Sequence, residues 1–581
     1  MPLIWTPSTV QQWFAEHVRL HGAPYTLDRD QAQAVCDQHT NTLVVARAGS
    51  GKTRIIVAKA IFLVYACNYA WREVLIFMFN RAAAAEVNQR LAEVSVDQRP
   101  IAKQPLQVAS TFHKFALDVL KGSGRAPQII SSDLQTDYLR QAFTKALGPK
   151  HLHPTARAEA FKLIQSFIAR AGQSYPTQAD LPALKSALQQ SLLTATPAQA
   201  FYQKLGFAAY THYLQQFQPP QLDFNQLLAA AAQELQTQAA SFACAAATTS
   251  TAITAAAATT SATTTASISP TVTPAPTTPA TPAPLRYLMV DEYQDFSLPF
   301  FRLAQALRSL YPELQLFAVG DDWQAINRFA GSDVRYFTDF KHFFPEDSTI
   351  IPLLTNYRSR RCIVENANRF MLTHYDPQAL PAKTFQRRRG RITTLRPEKL
   401  RYDPTDLEED ALGDGRFGKL LPRELPTSQQ KPAGQLLKQV FLLIKRHPRA
   451  SFLILHRHNF TTYPGLDLIK LQQALTQLAA SEQVLTPVAF KSQIRFLTIH
   501  KSKGLEADIV VLLEFNRDLL LAPHPHGSLF TVFGDNRDQE AADQARLLYV
   551  ALTRAKERLY LLTNDRRSLL THPKNPLPKS A

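Results

Sequence analysis

Short apolar runs punctuate the chain, and stretches of helical periodicity lie between them. Thr42–Ala46 (TLVVA), Val74–Phe79 (VLIFMF), Tyr287–Val290 (YLMV) and Leu316–Val319 (LFAV) lack the alternation of a half-solvated strand. They fit strands covered on both faces. The helical pattern Ala82–Ala92 follows the second run. A later set, Phe452–Leu455 (FLIL), Phe496–Ile499 (FLTI), Ile509–Leu513 (IVVLL) and Leu559–Leu562 (LYLL), predicts a second sheet. This alternation predicts an α/β fold with parallel sheets. From Val119 to Pro220 the chain is rich in Ala, Gln, Leu and aromatics and lacks strand signals, which predicts a helical insertion. Its aromatic run Phe201–Phe217 reads as helix core rather than as a base-stacking surface.

No charged residue occurs from Leu235 to Leu285, where the chain runs through TTSTAITAAAATTSATTTASISPTVTPAPTTPATPAP. Too few large apolar side chains are present to build a core, so a flexible linker is expected. The alanines favour helix, but the density of Thr and Pro argues against a stable one.

Composition narrows the picture. At roughly 150 residues per domain, 581 residues correspond to about four domain-sized units, which excludes a single small binding module. A hydrophobic content of 45% excludes wholesale disorder. The net charge of +17 favours a polyanionic partner such as nucleic acid or anionic lipid. Cys36, Cys67, Cys244 and Cys362 are widely spaced, so neither a disulfide framework nor a zinc site is indicated. The first residues lack the basic start and apolar core of a secretory signal, and no apolar span reaches the roughly 18 residues of a membrane helix. A soluble intracellular protein with no membrane partner is expected.

The chemistry is concentrated in two places. ARAGSGKT, Ala46–Thr53, follows a strand and opens a helical pattern, the context in which a phosphate-binding loop is meaningful. In such a loop Arg47, Ala48, Gly49, Ser50 and Gly51 wrap the phosphates with backbone N–H groups, Lys52 reaches the β and γ phosphates, and the Thr53 hydroxyl suits Mg²⁺. Ala46 stands where the first glycine is usual. VDEYQD, Val290–Asp295, then supplies a second metal-holding carboxylate in Asp291 and a base for water in Glu292.

With these in place, an ordered motif series emerges: LDRDQAQAV (Leu27–Val35), the phosphate loop, FNRAAAAEV (Phe79–Val87), STFHKF (Ser110–Phe115), DFNQLL (Asp223–Leu228), DEYQD, GDDWQAINRFAGSD (Gly320–Asp333), TNYRS (Thr355–Ser359), TIHKSKGLEAD (Thr498–Asp508) and RLLYVALTRAKERL (Arg546–Leu559). The series resembles the superfamily 1A DNA helicases, the group of UvrD, Rep and PcrA, and its wording is nearest the helicase IV branch. The resemblance implies two RecA-like P-loop domains with ATP and Mg²⁺ between them. Domain 1A would comprise residues 1–118, a return helix 221–237 and 285–350. Helical insertion 1B would be 119–220, the linker 238–284, and domain 2A 351–581. A short insertion at about 376–450 would stand for a reduced or absent 2B domain.

The resemblance also implies roles. Gln31 would read an adenine edge, Arg54 and Tyr357 would sandwich the ring, and Glu506 would meet the ribose. Gln324 would sense the γ-phosphate, which Arg358 and Arg554 would contact in catalysis alongside Lys52 and Glu292. Phe79 and Phe329 would stack on bases, and Thr111, His113 and His500 would hold the strand's backbone. Together these imply an ATP-dependent 3′–5′ translocase and helicase of the bacterial cytoplasm and nucleoid, acting on single-stranded DNA and DNA junctions in replication, repair or recombination, with repair proteins as further partners. Two other readings are an RNA-polymerase-associated ATPase that does not unwind processively, and a non-catalytic nucleic-acid scaffold. The presence of Lys52, Asp291, Glu292, Gln324, Arg358 and Arg554 together opposes the scaffold.

Overall fold

The computed structural model describes residues 5–101, 108–149, 152–258, 285–388, 390–395, 427–520 and 527–563. The chain divides into two compact units, one made of Met1–Val44, Thr53–Gly320 and Phe329–Ile351, the other of Val45–Lys52, Asp321–Arg328 and Pro352–Ala581.

The first unit is built on a six-stranded sheet. Its strands are β1 (Asn41–Ala46), β2 (Val74–Met78), β3 (Ala109–Thr111), β4 (Tyr287–Val290), β5 (Gln315–Gly320) and β6 (Ser348–Leu353), in the order β6-β1-β5-β4-β2-β3. Tyr287 lies opposite both Val74 and Gln315 in parallel register. Four of these strands coincide with the apolar runs of the sequence. The other two carry no comparable signal: β3 is three residues long, and β6 at the sheet edge alternates exposed and buried positions from Ile350 to Leu353. Such an edge needs only one apolar face.

The insertion is helical, with Ser132–Leu147, Pro154–Ser174, Leu181–Leu192 and Pro197–Leu214. Its base is closed by a short parallel pairing of Gln128–Ile129 with Gln221–Leu222. The aromatic run is core: Tyr210 and Tyr213 are buried, and a Cβ on Gly206 would stand 2.6 Å from the Phe167 ring. Glycine there sets how closely the two helices approach.

The next helix corrects the expected linker boundary. It runs Phe224–Ala258, well past position 237. Alanine dominates this part of the uncharged tract and has the highest helix propensity, while the prolines come later. Residues 259–284 lie outside the described residues.

The second unit contains a five-stranded parallel sheet of β7 (Arg391–Leu395), β8 (Phe452–His456), β9 (Ile494–Thr498), β10 (Ala507–Leu512) and β11 (Ala555–Leu562), ordered β7-β11-β10-β8-β9. Leu453 and Leu455 face an apolar cluster that includes Ile363, Phe370 and Leu548, whereas Phe452 and Ile454 face another with Leu437, Leu471 and Leu475. Successive strand residues point to opposite faces, so helices on both sides require both faces to be apolar. That is why FLIL reads as one continuous run.

Part of the stretch expected as an insertion is integral to this unit. Arg391–Leu395 pairs with Arg558–Leu562 as an edge strand, and helix Thr427–Arg446 supplies Leu437 and Val440 to the core. RITTL is too polar to announce a strand on its own, because an edge strand is only half covered. The rest of the expected insertion, 396–426, lies outside the described residues.

Candidate nucleotide site

Strand β1 ends at Ala46 and a helix, Lys52–Ile61, begins five residues after Arg47. Between them Gly49 and Gly51 adopt φ of +75° and +88°, a region that L side chains rarely enter. The TNYRS segment straps this loop within the second unit. Asn356 Nδ2 donates to the Ala48 carbonyl at 2.6 Å, and the Tyr357 N–H donates to the Gly49 carbonyl at 2.9 Å. Asn356 Oδ1 accepts from the N–H groups of Arg358 and Ser359 at 3.0 and 2.8 Å, so one amide ties strap to loop. A Cβ on Gly49 would lie 2.8 Å from Arg358 Cβ.

Behind the loop is a buried polar network. Gln324 Nε2 donates to Asp321 Oδ2 at 2.6 Å, and its Oε1 accepts from Arg554 Nη2 at 3.0 Å. Arg554 also donates to the carbonyls of Val550 and Leu505, at 3.0 and 3.2 Å, and is 1% exposed. Arg47 belongs to this network too. Its Nη1 lies 2.8 Å from Asp321 Oδ1 and 2.6 Å from Asp322 Oδ1, and its guanidinium sits 3.9 Å over the Trp323 ring. The Arg47 side chain is therefore held by carboxylates, leaving its backbone as its share of the phosphate loop.

Arg358 and Glu506 form an ion pair of 2.5 Å, and Lys556 joins the same carboxylate at 2.8 Å. Burial alone would raise the Glu506 pKa, but the Arg358 and Lys556 charges bring it below the usual carboxylate value. Tyr357 contacts Phe385, with ring centroids 4.8 Å apart. Sequence reasoning missed Asn356, Lys556 and Phe385. The first stood inside a recognised motif, whereas Phe385 sits in a segment without one.

In the first unit, Gln31 is the third residue of helix Arg29–Cys36 and closes a capping box with Asp28, accepting from the Asp28 N–H at 3.2 Å. Its side chain is buried. Arg54 lies 4.5 Å over the Tyr25 ring and donates to the Thr26 carbonyl at 2.5 Å, which fixes the plane of its guanidinium. Asp291 and Glu292 follow strand β4. Glu292 has φ +48°, a left-handed backbone of the kind that collects at functional sites, and Gln294 Nε2 donates to its Oε2 at 2.5 Å. The Asp291 carboxylate and Thr53 hydroxyl are hard oxygen donors, few in number, which suits Mg²⁺ carried in on phosphates.

Phe79 directly follows β2 and is 44% exposed, and Thr111 ends β3 opposite Met78 in the register. Both therefore stand at the carboxyl edge of the sheet, where open α/β sheets bind ligands. Thr111 caps the helix Phe112–Gly122 by accepting from the Lys114 N–H at 3.2 Å. Phe329 is 62% exposed. His113 packs against Phe224 and Phe300, and burial pushes its pKa down to about 4. In the second unit, burial and the charges of Arg457, His458 and Lys503 do the same to His500, also to about 4.

A comparison with protein families matches residues 27–345, more than half of the chain, to the UvrD/REP helicase N-terminal domain. The chain belongs to the UvrD/Rep helicase family. Residues 449–566 match the UvrD-like helicase C-terminal domain, a stretch that holds four of the five strands of the second parallel sheet. Among curated proteins, this UvrD/Rep chain is 26% identical to DNA helicase IV of Escherichia coli over 542 residues, covering 93% of this chain and 68% of that protein. It is 24% identical to ATP-dependent DNA helicase Rep of Buchnera aphidicola over 56% of this chain and 40% of that one. For ATP-dependent DNA helicase PcrA of Staphylococcus aureus the identity is 23%, over 59% of this chain and 39% of that one. The chain thus spans about two thirds of the helicase IV relative and about two fifths of the other two. Among the described residues, no helix is long and apolar enough to cross a membrane.

Proposed function

We propose that the protein is an ATP-driven motor that moves 3′ to 5′ along single-stranded DNA and separates duplex at junctions. The observation that carries the ATPase part is the Gln324–Arg554 hydrogen bond of 3.0 Å, buried in the unit that also holds the phosphate loop and Arg358. A γ-phosphate arriving there meets an amide and a guanidinium already oriented by each other, the preorganisation that stabilises a transferring phosphoryl group. Glu292, held by Gln294, takes the proton of the attacking water. Thr53 and Asp291 would hold Mg²⁺, whose charge would offset that of the phosphates. The DNA part is supported by the exposed rings of Phe79 and Phe329, with Thr111 beside the first as a backbone contact.

The test is ATP turnover with and without single-stranded DNA, with Lys52→Ala as control, followed by unwinding of duplexes bearing 3′ or 5′ tails. Strong stimulation together with unwinding from the 3′ tail is expected. Turnover without response to DNA would move the reading toward an ATPase that works on RNA polymerase, and unwinding from the 5′ tail would reverse the polarity.

A further inference from the structure

Phe385 lies in a segment of short extended chain with no motif of its own. Residues Lys383–Thr384 pair in parallel with Thr355–Asn356, the two residues that precede Tyr357. The Phe385 N–H continues that pairing by donating to the Asn356 carbonyl at 3.1 Å, and Gln386 Nε2 donates to the Tyr357 carbonyl at 3.2 Å. Backbone register thus carries Phe385 alongside Tyr357. Their rings meet at 4.8 Å with an interplanar angle of 48°. Phe385 nevertheless remains 63% exposed, so the contact buries only part of its ring.

Tyr357 is in turn fixed to the phosphate loop, since its N–H donates to the Gly49 carbonyl at 2.9 Å. Its N–H, carbonyl and ring each have a partner, in the Gly49 carbonyl, Gln386 Nε2 and the Phe385 ring. Tyr357 is the aromatic side chain that the strap brings next to the phosphate loop, and a base would need such a ring to stack on. Without a neighbour, a half-exposed Tyr would sample several χ1 wells. Closing that choice before binding removes an ordering cost from the complex.

We infer that Phe385 is a positioning residue for nucleobase recognition: it backs the Tyr357 ring, so that the base of a purine nucleoside triphosphate stacks on a surface already set. The inference rests on Tyr357 being the base-stacking residue. It requires no contact between Phe385 and the phosphates.

The experiment is steady-state ATP hydrolysis by the full chain at saturating single-stranded DNA, with inorganic tripolyphosphate as a competitor that reports the phosphate site alone. Phe385→Ala is expected to raise KM for ATP about two- to tenfold, the worth of an aromatic pair. The value of kcat should stay within about twofold and the tripolyphosphate inhibition constant should not change, because phosphate contacts are untouched. Phe385→Trp should restore KM. Should Phe385→Ala lower the melting temperature, Phe385→Leu keeps the apolar cover without the aromatic face and should raise KM in the same direction. An unchanged KM in Phe385→Ala beside a raised KM in Tyr357→Ala would overturn the role of Phe385 and leave the base site in place. An unchanged KM in Tyr357→Ala would overturn the base site itself, and this inference with it. Equal weakening of ATP and tripolyphosphate would show that Phe385 shapes the loop instead, which also overturns the inference.

Discussion

Arg554 Nη2 donates to Gln324 Oε1 at 3.0 Å, while Gln324 Nε2 donates to Asp321 Oδ2 at 2.6 Å. The amide cannot flip without putting its NH₂ against the guanidinium and its oxygen against the carboxylate. Gln324 is therefore oriented by two charged groups, and its orientation fixes one corner of Arg554. Displacing either side chain therefore breaks the hydrogen bond that orients the other.

That linkage makes the two residues act as a unit. Gln324→Ala should lower kcat about 10²-fold, the usual loss when one preorganised donor is removed. Arg554→Ala should cost on the order of 10³-fold or more, the loss expected if it meets the γ-phosphate as proposed. The double variant should be scarcely worse than Arg554→Ala, because non-additivity is expected of groups that work together. Independent, multiplying losses measured by steady-state ATPase would show that the hydrogen bond does not couple them.

Glu292 separates catalysis from stability. Its left-handed backbone, φ +48°, is unfavourable for any side chain with a Cβ and is maintained by surrounding structure. Glu292→Gln keeps the side-chain shape and an oxygen to accept from Gln294, so its melting temperature should match the parent's. Turnover should fall by roughly 10²- to 10⁴-fold as the proposed base is lost, with ATP binding retained in a filter or fluorescence assay. Glu292→Gly, by contrast, should be no less stable than Glu292→Ala, since glycine relieves the backbone. A Glu292→Gly protein melting well below Glu292→Ala would contradict the strain.

Arg47 should behave as a structural residue despite its place in the phosphate loop. Removing it leaves Asp321 and Asp322 buried without their shared guanidinium, and loss of one partner of a buried pair costs about 3–5 kcal/mol. Arg47→Ala should therefore lower the melting temperature clearly. Arg47→Lys should recover only part, because an ammonium offers no planar face to lie on Trp323 and no second nitrogen to reach the Leu380 carbonyl, which Arg47 Nε meets at 3.0 Å. Full stability in Arg47→Ala, measured by thermal melting, would rule out this account.

What could be read in the sequence, and what could not, follows from burial and range. Strands covered on both faces announced themselves as apolar runs, and the phosphate loop was legible because its chemistry needs Gly, Gly and Lys at fixed spacing. Strands β3 and β7 were not, being short or half exposed. Arg47 was assigned by its position in a local motif, but its partners lie more than 270 positions away, at Asp321 and Asp322. Likewise, the Ala-rich tract after Leu235 was judged by its later Thr and Pro content, although the helix consumes the alanines before the prolines begin. For Gln31 the resemblance implies an adenine edge, and its capping role with Asp28 goes unread although D-x-x-Q is a recognisable helix start.

His500 and His113 give a pH prediction with a definite sign. Both have folded-state pKa values near 4, below the ordinary 6.5, so each is neutral at pH 7. Between about 6.5 and about 4 the unfolded chain binds protons there that the folded chain does not, so stability falls as pH is lowered through that window. Replacing His113 by Gln should flatten part of this fall in a series of thermal melts. An equally steep fall in the variant would mean that other groups account for it. Neutrality also bears on DNA binding. If His500 holds a DNA phosphate as the family resemblance implies, a neutral ring releases no counterion, and His500→Ala should weaken single-stranded DNA binding about two- to tenfold, the worth of one neutral hydrogen bond. The salt dependence should be unchanged, whereas loss of a cationic contact would reduce the slope by about 0.7. Titrations of fluorescent single-stranded DNA at several salt concentrations decide between them, and a slope that drops in His500→Ala would mean that DNA binding protonates the imidazole.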